Sequence, residues 1–131
     1  IPGIPKVALV SPAQGAATLS GDLLDESECD LTLRMISVGQ PHRAIPVTGS
    51  MCAAIAAQIT DTVVNRLCRP AAAPDDIRIA HPSGVARVGA TVTQQKGKWV
   101  ADNAVLYRTA RRLMDGHVYV SAARTPGLAA D

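Results

Sequence analysis

The sequence predicts an α+β fold in which roughly five to seven strands form a sheet or partial barrel wrapped around one long buried helix. Three observations predict it. Met51, Ile55, Ile59, Val63 and Leu67 recur every four residues, as one face of a helix requires. Cys52, Ala53, Ala54, Ala56 and Ala57 keep the rest of the first two turns small and uncharged, whereas a helix lying on a surface would keep a polar side. Short alternating or β-branched segments, punctuated by Gly and Pro, flank that stretch on both sides.

The elements follow in order. Lys6–Val10 reads as a short buried strand ended by Ser11-Pro12. Residues 13–30 are small, polar and acidic, a loop with a weak strand near Ala17-Thr18-Leu19. Its acidic residues Asp22, Asp25, Glu26, Glu28 and Asp30 lack the spacing and glycine of a calcium loop and read as a solvated acidic cluster. Leu31–Ser37 alternates as a strand with Leu31, Leu33 and Met35 on one face. Gly39-Gln40-Pro41 turns the chain, and His42–Val47 runs extended, favoured by Pro46. The helix is expected from Ser50 to Leu67, with Arg66 and Arg69 at its negative end and Pro70 preventing continuation. Ala71–Pro74 is a linker. Ile77–Ile79, Gly84–Thr93, Lys98–Ala101 and Val105–Thr109 read as strands, joined by turns at His81–Gly84 and Gln94–Gly97. Residues 107–114 fit either a strand end or a helical turn, and His117–Val120 a last strand. Residues 1–5 read as an interdomain linker and 121–131 as a mobile tail.

Composition narrows the function classes. A chain of 131 residues buries a core without disulfide or metal staples. A net charge of +2, scattered basic residues, one Trp, two Tyr and no Phe argue against a nucleic-acid partner. The apolar run Met51–Ala57 is far short of the roughly 20 residues that span a bilayer. No signal peptide is readable at the start, so a cytoplasmic protein without membrane contact is expected. Cys29, Cys52 and Cys68 form an odd set without metal-type spacing, which predicts reduced thiols and no metal. The chain opens without Met, so it is expected to be a piece of a longer protein.

Thr48-Gly49-Ser50 is the most informative local feature. A Thr-Gly-Ser turn feeding a buried helix leaves backbone N–H groups facing outward at the positive end of the helix dipole, a site for a carboxylate or phosphate. Thr48, Gly49, Ser50 and Met51 are the candidate cradle, through backbone N–H groups and the two hydroxyls; the bland alternative is an ordinary helix cap by Ser50 or Thr48. His42 is a candidate to hydrogen-bond a substrate oxygen or shuttle a proton, or else it satisfies a turn. Cys52, in the first helical turn, is a weak acid/base candidate set against inert core packing. His81 suits a turn, and Arg34 either a carboxylate contact or a salt bridge.

Several segments taken together resemble the C-terminal half of the PrpF family: Pro5–Val10, Arg34 through Thr48-Gly49-Ser50 with His42 between, the Ala-rich helix, His81-Pro82-Ser83-Gly84, and Arg108–Gly116. The similarity spans most of residues 5–120, and Arg108-Thr109-Ala110-Arg111-Arg112 with its trailing Gly116 is the more distinctive signature. The resemblance implies an isomerase or tautomerase of unsaturated di- or tricarboxylic acids, as in 2-methylaconitate cis–trans isomerase, methylitaconate isomerase and 4-oxalomesaconate tautomerase. It also implies a diaminopimelate epimerase-like fold, two lobes each wrapping a sheet around a helix, with the active site between the two helix N-termini.

On that resemblance residues 1–131 form a single C-terminal lobe. The partner is a missing N-terminal lobe that supplies a lysine and a cysteine as acid and base, with no cofactor. Pro46 stands where the epimerase carries its catalytic Cys, so this lobe lacks that thiol. Arg108, Arg111 and Arg112 are expected to pin the final crossover segment. The fragment alone is expected to be inactive and, without its other lobe, to expose apolar surface around Met51 and Val118–Val120 that a homodimer would cover. Two other classes compete: a stand-alone small-carboxylate binding domain without catalysis, and a hotdog-fold thioesterase. Against the thioesterase, no Asp or Glu lies near the helix start.

Overall fold

The computed structural model describes residues 5–70, 76–124 and 127, the side chain of residue 122 excepted. In chain order the elements are β1 (Val7–Pro12), β2 (Ala16–Ala17), β3 (Leu23–Leu24), β4 (Leu31–Ser37), β5 (Gln40–Pro41), α1 (Val47–Gln58), α2 (Val63–Leu67), β6 (Asp76–His81), β7 (Gly84–Gln95) and β8 (Lys98–Leu106). The main sheet runs β1-β4-β6-β7-β8, with β5 paired to the end of β4, and β2 and β3 form a separate ribbon. The β4–β6 pair is parallel and the others antiparallel. The sheet curls as a half-barrel and α1 packs against it, the predicted α+β arrangement.

Alternation on the strands decides which side chains meet the helix. Leu33 and Met35 of β4, Ile77 and Ile79 of β6, and Val88 and Ala90 of β7 bury against Ala53 and Ala54 of α1. Small helix residues let the backbone come close, and Gly49 marks the tightest approach. A Cβ there would lie 2.5 Å from the Met35 methyl, so a side chain fits only if Met35 moves. The far face of β6 is covered by the segment before β4, where Ala13, Cys29 and Ala80 form a small second core.

That covering segment is locked by charge. The Asp30 side chain is 4% exposed and accepts from Arg78 Nη2 at 2.7 Å, Nε at 3.2 Å and the Arg78 backbone N–H at 2.8 Å. Arg78 Nη1 reaches on to the Ser27 carbonyl at 2.9 Å. Asp30 is therefore a buried clamp, not part of a solvated acidic cluster.

The helix differs from its expected bounds at both ends. It begins at Val47 because Pro46 (φ −62°, ψ 145°) already directs the chain into it, so Thr48-Gly49-Ser50 forms the first helical turn instead of preceding it. It stops at Gln58 although the four-residue recurrence continues. Thr62 caps the separate α2 by accepting the Asn65 N–H at 3.0 Å, and its hydroxyl and the Asn65 amide serve the Ala56 and Ala57 carbonyls of α1. Capping of both ends outweighs continued periodicity.

Other expectations fall differently. β1 is an edge strand, with Val7 and Leu9 more than half exposed, and not a buried one. The weak strand expected near 17–19 is the Ala16–Ala17 strand of a short ribbon with Leu23–Leu24. The two strands expected at 98–101 and 105–109 are one, β8, whose register skips Asp102 opposite Thr91 and Val92. The Gln58 amide bridges the Ala90 carbonyl and the Val92 N–H there, fixing the helix end to the irregularity. His117–Val120 is not a strand: Val118 is 87% exposed and Tyr119 fully so, with no neighbour to pair with among the described residues. Met51, by contrast, packs against the core. The 71–74 linker, most of the 1–5 linker and most of the 121–131 tail lie outside the described residues.

Candidate functional site

The mouth of α1 is assembled from the end of β4. Val38 and Gly39 take positive φ (54° and 70°), the backbone of a two-residue hairpin turn, and reverse the chain into β5. A β-branched residue in that region is uncommon, which is why the turn was not legible at Val38. His42 donates its backbone N–H to the Met35 carbonyl at 2.7 Å, and its side-chain Nε2 is buried without a partner among the described residues.

The next residues lead to Pro46, which provides no side-chain cap. The Ser50 N–H donates to the Pro46 carbonyl at 2.9 Å, and the fully buried Ser50 hydroxyl donates to the Val47 carbonyl at 2.7 Å. Ser50 is thus turned into the helix, and the Met51 N–H belongs to the helical ladder. These two drop out of the four-residue cradle read from the sequence. The free donors are the N–H groups of Val47, Thr48 and Gly49, none of which finds an acceptor among the described residues. Val47 and Thr48 are exposed, so the mouth is open. No acidic residue lies in that first turn.

A groove of about 380 Å³ runs from this mouth between α1 and β1, lined by Lys6, Ala8, Met35, Thr48, Gly49 and Cys52 among others. Lys6 is the one charged side chain among the described lining residues. Sequence reasoning missed it, reading it only as the start of a strand. The signal was the antiparallel pairing: Val7 opposite Ile36 places Lys6 at the same end of β4 as the helix start. Cys52 is exposed in this groove, not packed in the core. Cys29 is fully buried, and burial, then the Asp30 charge, pushes the Cys68 thiol up to about 11. Cys52 is therefore the most exposed thiol of the three.

The remaining candidates sort by their partners. His81 has the turn role: its Nδ1 accepts the Ser83 N–H at 3.2 Å, which leaves the ring proton on Nε2. Burial, with the Arg34 and Arg108 charges, holds its pKa below the ordinary 6.5. The unfolded chain therefore takes up this proton first as pH falls. Stability at this site is intact above about 6.5 and is lost as pH drops from there toward the folded-state pKa. Urea midpoints measured at pH 7.5 and 5.5 are expected to show that loss, and His81→Gln to flatten it.

Among the described residues Arg34 meets no carboxylate; its Nη1 donates to the Leu33 and Ala80 carbonyls. Among them, too, Arg112 pairs only with Asp115 at 3.2 Å, both about four-fifths exposed, a contact within its own segment that pins no other element. Among the described residues no group of three or more His, Cys, Asp or Glu side chains could hold a metal ion, and no helix is long and apolar enough to cross a membrane.

The half-barrel with its packed helix is also the fold of a crystal structure of methylitaconate-delta-isomerase. The two superpose with a TM-score of 0.71 at 34% identity, covering 99% of this chain and 33% of that one. The chain belongs to the PrpF family, whose sequence profile, described as PrpF protein, matches residues 1–121. It is 38% identical over 116 residues to a 2-methyl-aconitate isomerase of Shewanella oneidensis, and 34% identical over 124 residues to a 3-methylitaconate isomerase of Eubacterium barkeri. These alignments cover 88% and 94% of this chain but only 29% and 32% of the relatives.

Proposed function

We propose that this chain is the carboxylate-binding C-terminal lobe of a cofactor-independent isomerase that shifts double bonds in unsaturated di- or tricarboxylic acids by proton transfer. The observation that carries the reading is the uncapped, open start of α1 beside Lys6. Moving a double bond removes a proton from one carbon and returns one further along. The carbanion between these steps is delocalised into a carboxylate or keto group, so an already anionic molecule gains charge. Three N–H donors at the positive end of a helix stabilise that added charge without reorganising, and Lys6 on the wall of the adjoining groove adds a positive charge.

The hydroxyl of Thr48 extends the cradle; His42 does not line the groove, and its Nε2 is buried, so it has no part in the cradle. The other lobe supplies the acid and base; Cys52, one turn along from Thr48, is the thiol that lines this groove.

The test is turnover of 2-methylaconitate and methylitaconate by the full protein. Lys6→Met is expected to lower kcat/KM by about ten- to a hundredfold, the worth of one charge-assisted hydrogen bond. Lys6 is exposed, so the melting temperature should not move. Undiminished turnover by that variant would remove Lys6 from the site.

A further inference from the structure

We infer that the cavity between the β6–β7 turn and residues 107–109 is a second anion site, separate from the groove beside α1, that takes a small doubly charged molecule bearing phosphate or two carboxylates. The cavity measures about 600 Å³ and is lined by Ala44, His81, Ser83, Arg87, Tyr107 and Arg108 among others. That volume lies in the ordinary range of small-molecule sites.

Its charge is one-sided. Arg87 is already answered: it pairs with Asp76 at 2.7 Å and stacks 5.1 Å from the Tyr107 ring centre. Arg108 has no partner among the described residues; Arg34 does not line the cavity and, among the described residues, donates to the Leu33 and Ala80 carbonyls. No Asp or Glu lies among the described lining residues. Unanswered Arg108 guanidinium charge beside an imidazole whose Nδ1 accepts and whose Nε2–H is left to donate is complementary to an oxyanion.

The cavity and the groove share no lining residue. They flank the segment leading into α1, to which the cavity is tied by the Ser83 hydroxyl donating to the Arg43 carbonyl at 2.5 Å. Binding here thus stands independently of the carboxylate cradle proposed above.

The experiment titrates the full protein with inorganic phosphate and, separately, with succinate. It uses calorimetry and the NMR signals of ¹³C-labelled histidine. Saturable binding of at least one anion that shifts the His81 ring signal is expected, and the tighter of the two identifies the headgroup. Arg108→Gln should weaken binding about tenfold or more. Lys6→Met and Arg111→Gln should leave the anion dependence of the His81 signal unchanged; succinate held in the groove, which Lys6→Met weakens, does not move that signal, and this separates the two sites. Arg108 is exposed and unpaired among the described residues, so the fold survives its replacement. The inference is overturned if neither anion saturably shifts the His81 signal, if Arg108→Gln gives the parental titration of that signal, or if a structure of the full protein seats one of its own carboxylates on Arg108.

Discussion

Val47→Pro in the full protein cuts kcat for the unsaturated carboxylic acids proposed as substrates by roughly a hundred- to a thousandfold while leaving the helix intact, if the mouth of α1 holds the developing charge. Val47 is the first helical residue and its N–H has no acceptor among the described residues. Proline at that position removes one donor and nothing else. Its fixed φ suits the first turn, and the residue before it, Pro46 at ψ 145°, already has the extended backbone that a following proline demands. The Val47 side chain is 50% exposed, so little packing is lost. Val47→Ala, which keeps the N–H, serves as the control and should retain near-parental turnover. Loss of kcat with an unchanged far-ultraviolet circular dichroism spectrum is the expected result. Parental kcat in a folded Val47→Pro protein would show that this amide grips nothing.

The largest effect on stability is expected at the Asp30 clamp. Arg78→Met leaves a carboxylate that is 4% exposed with only the Arg78 backbone N–H as a partner. Stranding a buried charge in this way costs about 3 kcal/mol. For a chain of this size that lowers the melting temperature by roughly 10 °C. The cost comes from the stranded charge more than from the lost attraction, so Asp30→Asn added to Arg78→Met should recover much of it. Thermal melts of the two variants and the parent check both parts. A single variant that melts with the parent, or a double variant no better than the single, would contradict the clamp. Its position explains the size of the effect, because the same pair holds the segment before β4 over the far face of β6 and its small second core.

Much of the fold was legible because its signals are local. Leu31–Ser37 was readable from alternation alone, and the β6–β7 hairpin from its turn at His81–Gly84. The Ala-rich helix was readable from its small, uncharged surface. Boundaries were legible only where a local signal dominates. The helical region does end at Leu67 as read, with Cys68 already extended before Pro70, whereas the break after Gln58 depends on Thr62 and Asn65 reaching back to carbonyls several residues away. The strand expected at His117–Val120 has the right residues but no neighbour among the described residues, and a strand is a property of a pair.

The candidate site was half legible for the same reason. Thr48 and Gly49 stand at the helix start as read, yet the sequence cannot show that Ser50 turns its hydroxyl inward or that Pro46 leaves the mouth uncapped. Cys52 looked like core because its neighbours along the chain are apolar, but exposure depends on which side of the helix the sheet covers. Lys6 lies more than forty residues from Thr48 in the chain and joins it only through the β1–β4 register.

By itself, then, the sequence determined the α+β class, the buried helix, the family resemblance and the region of the helix start, since periodicity, turn chemistry and motif are written in consecutive residues. The tertiary structure alone decided which donors remain free, which cation lines the adjoining groove and which thiol is reachable. Those depend on what packs across from each group, and in a curled sheet that partner comes from a distant part of the chain.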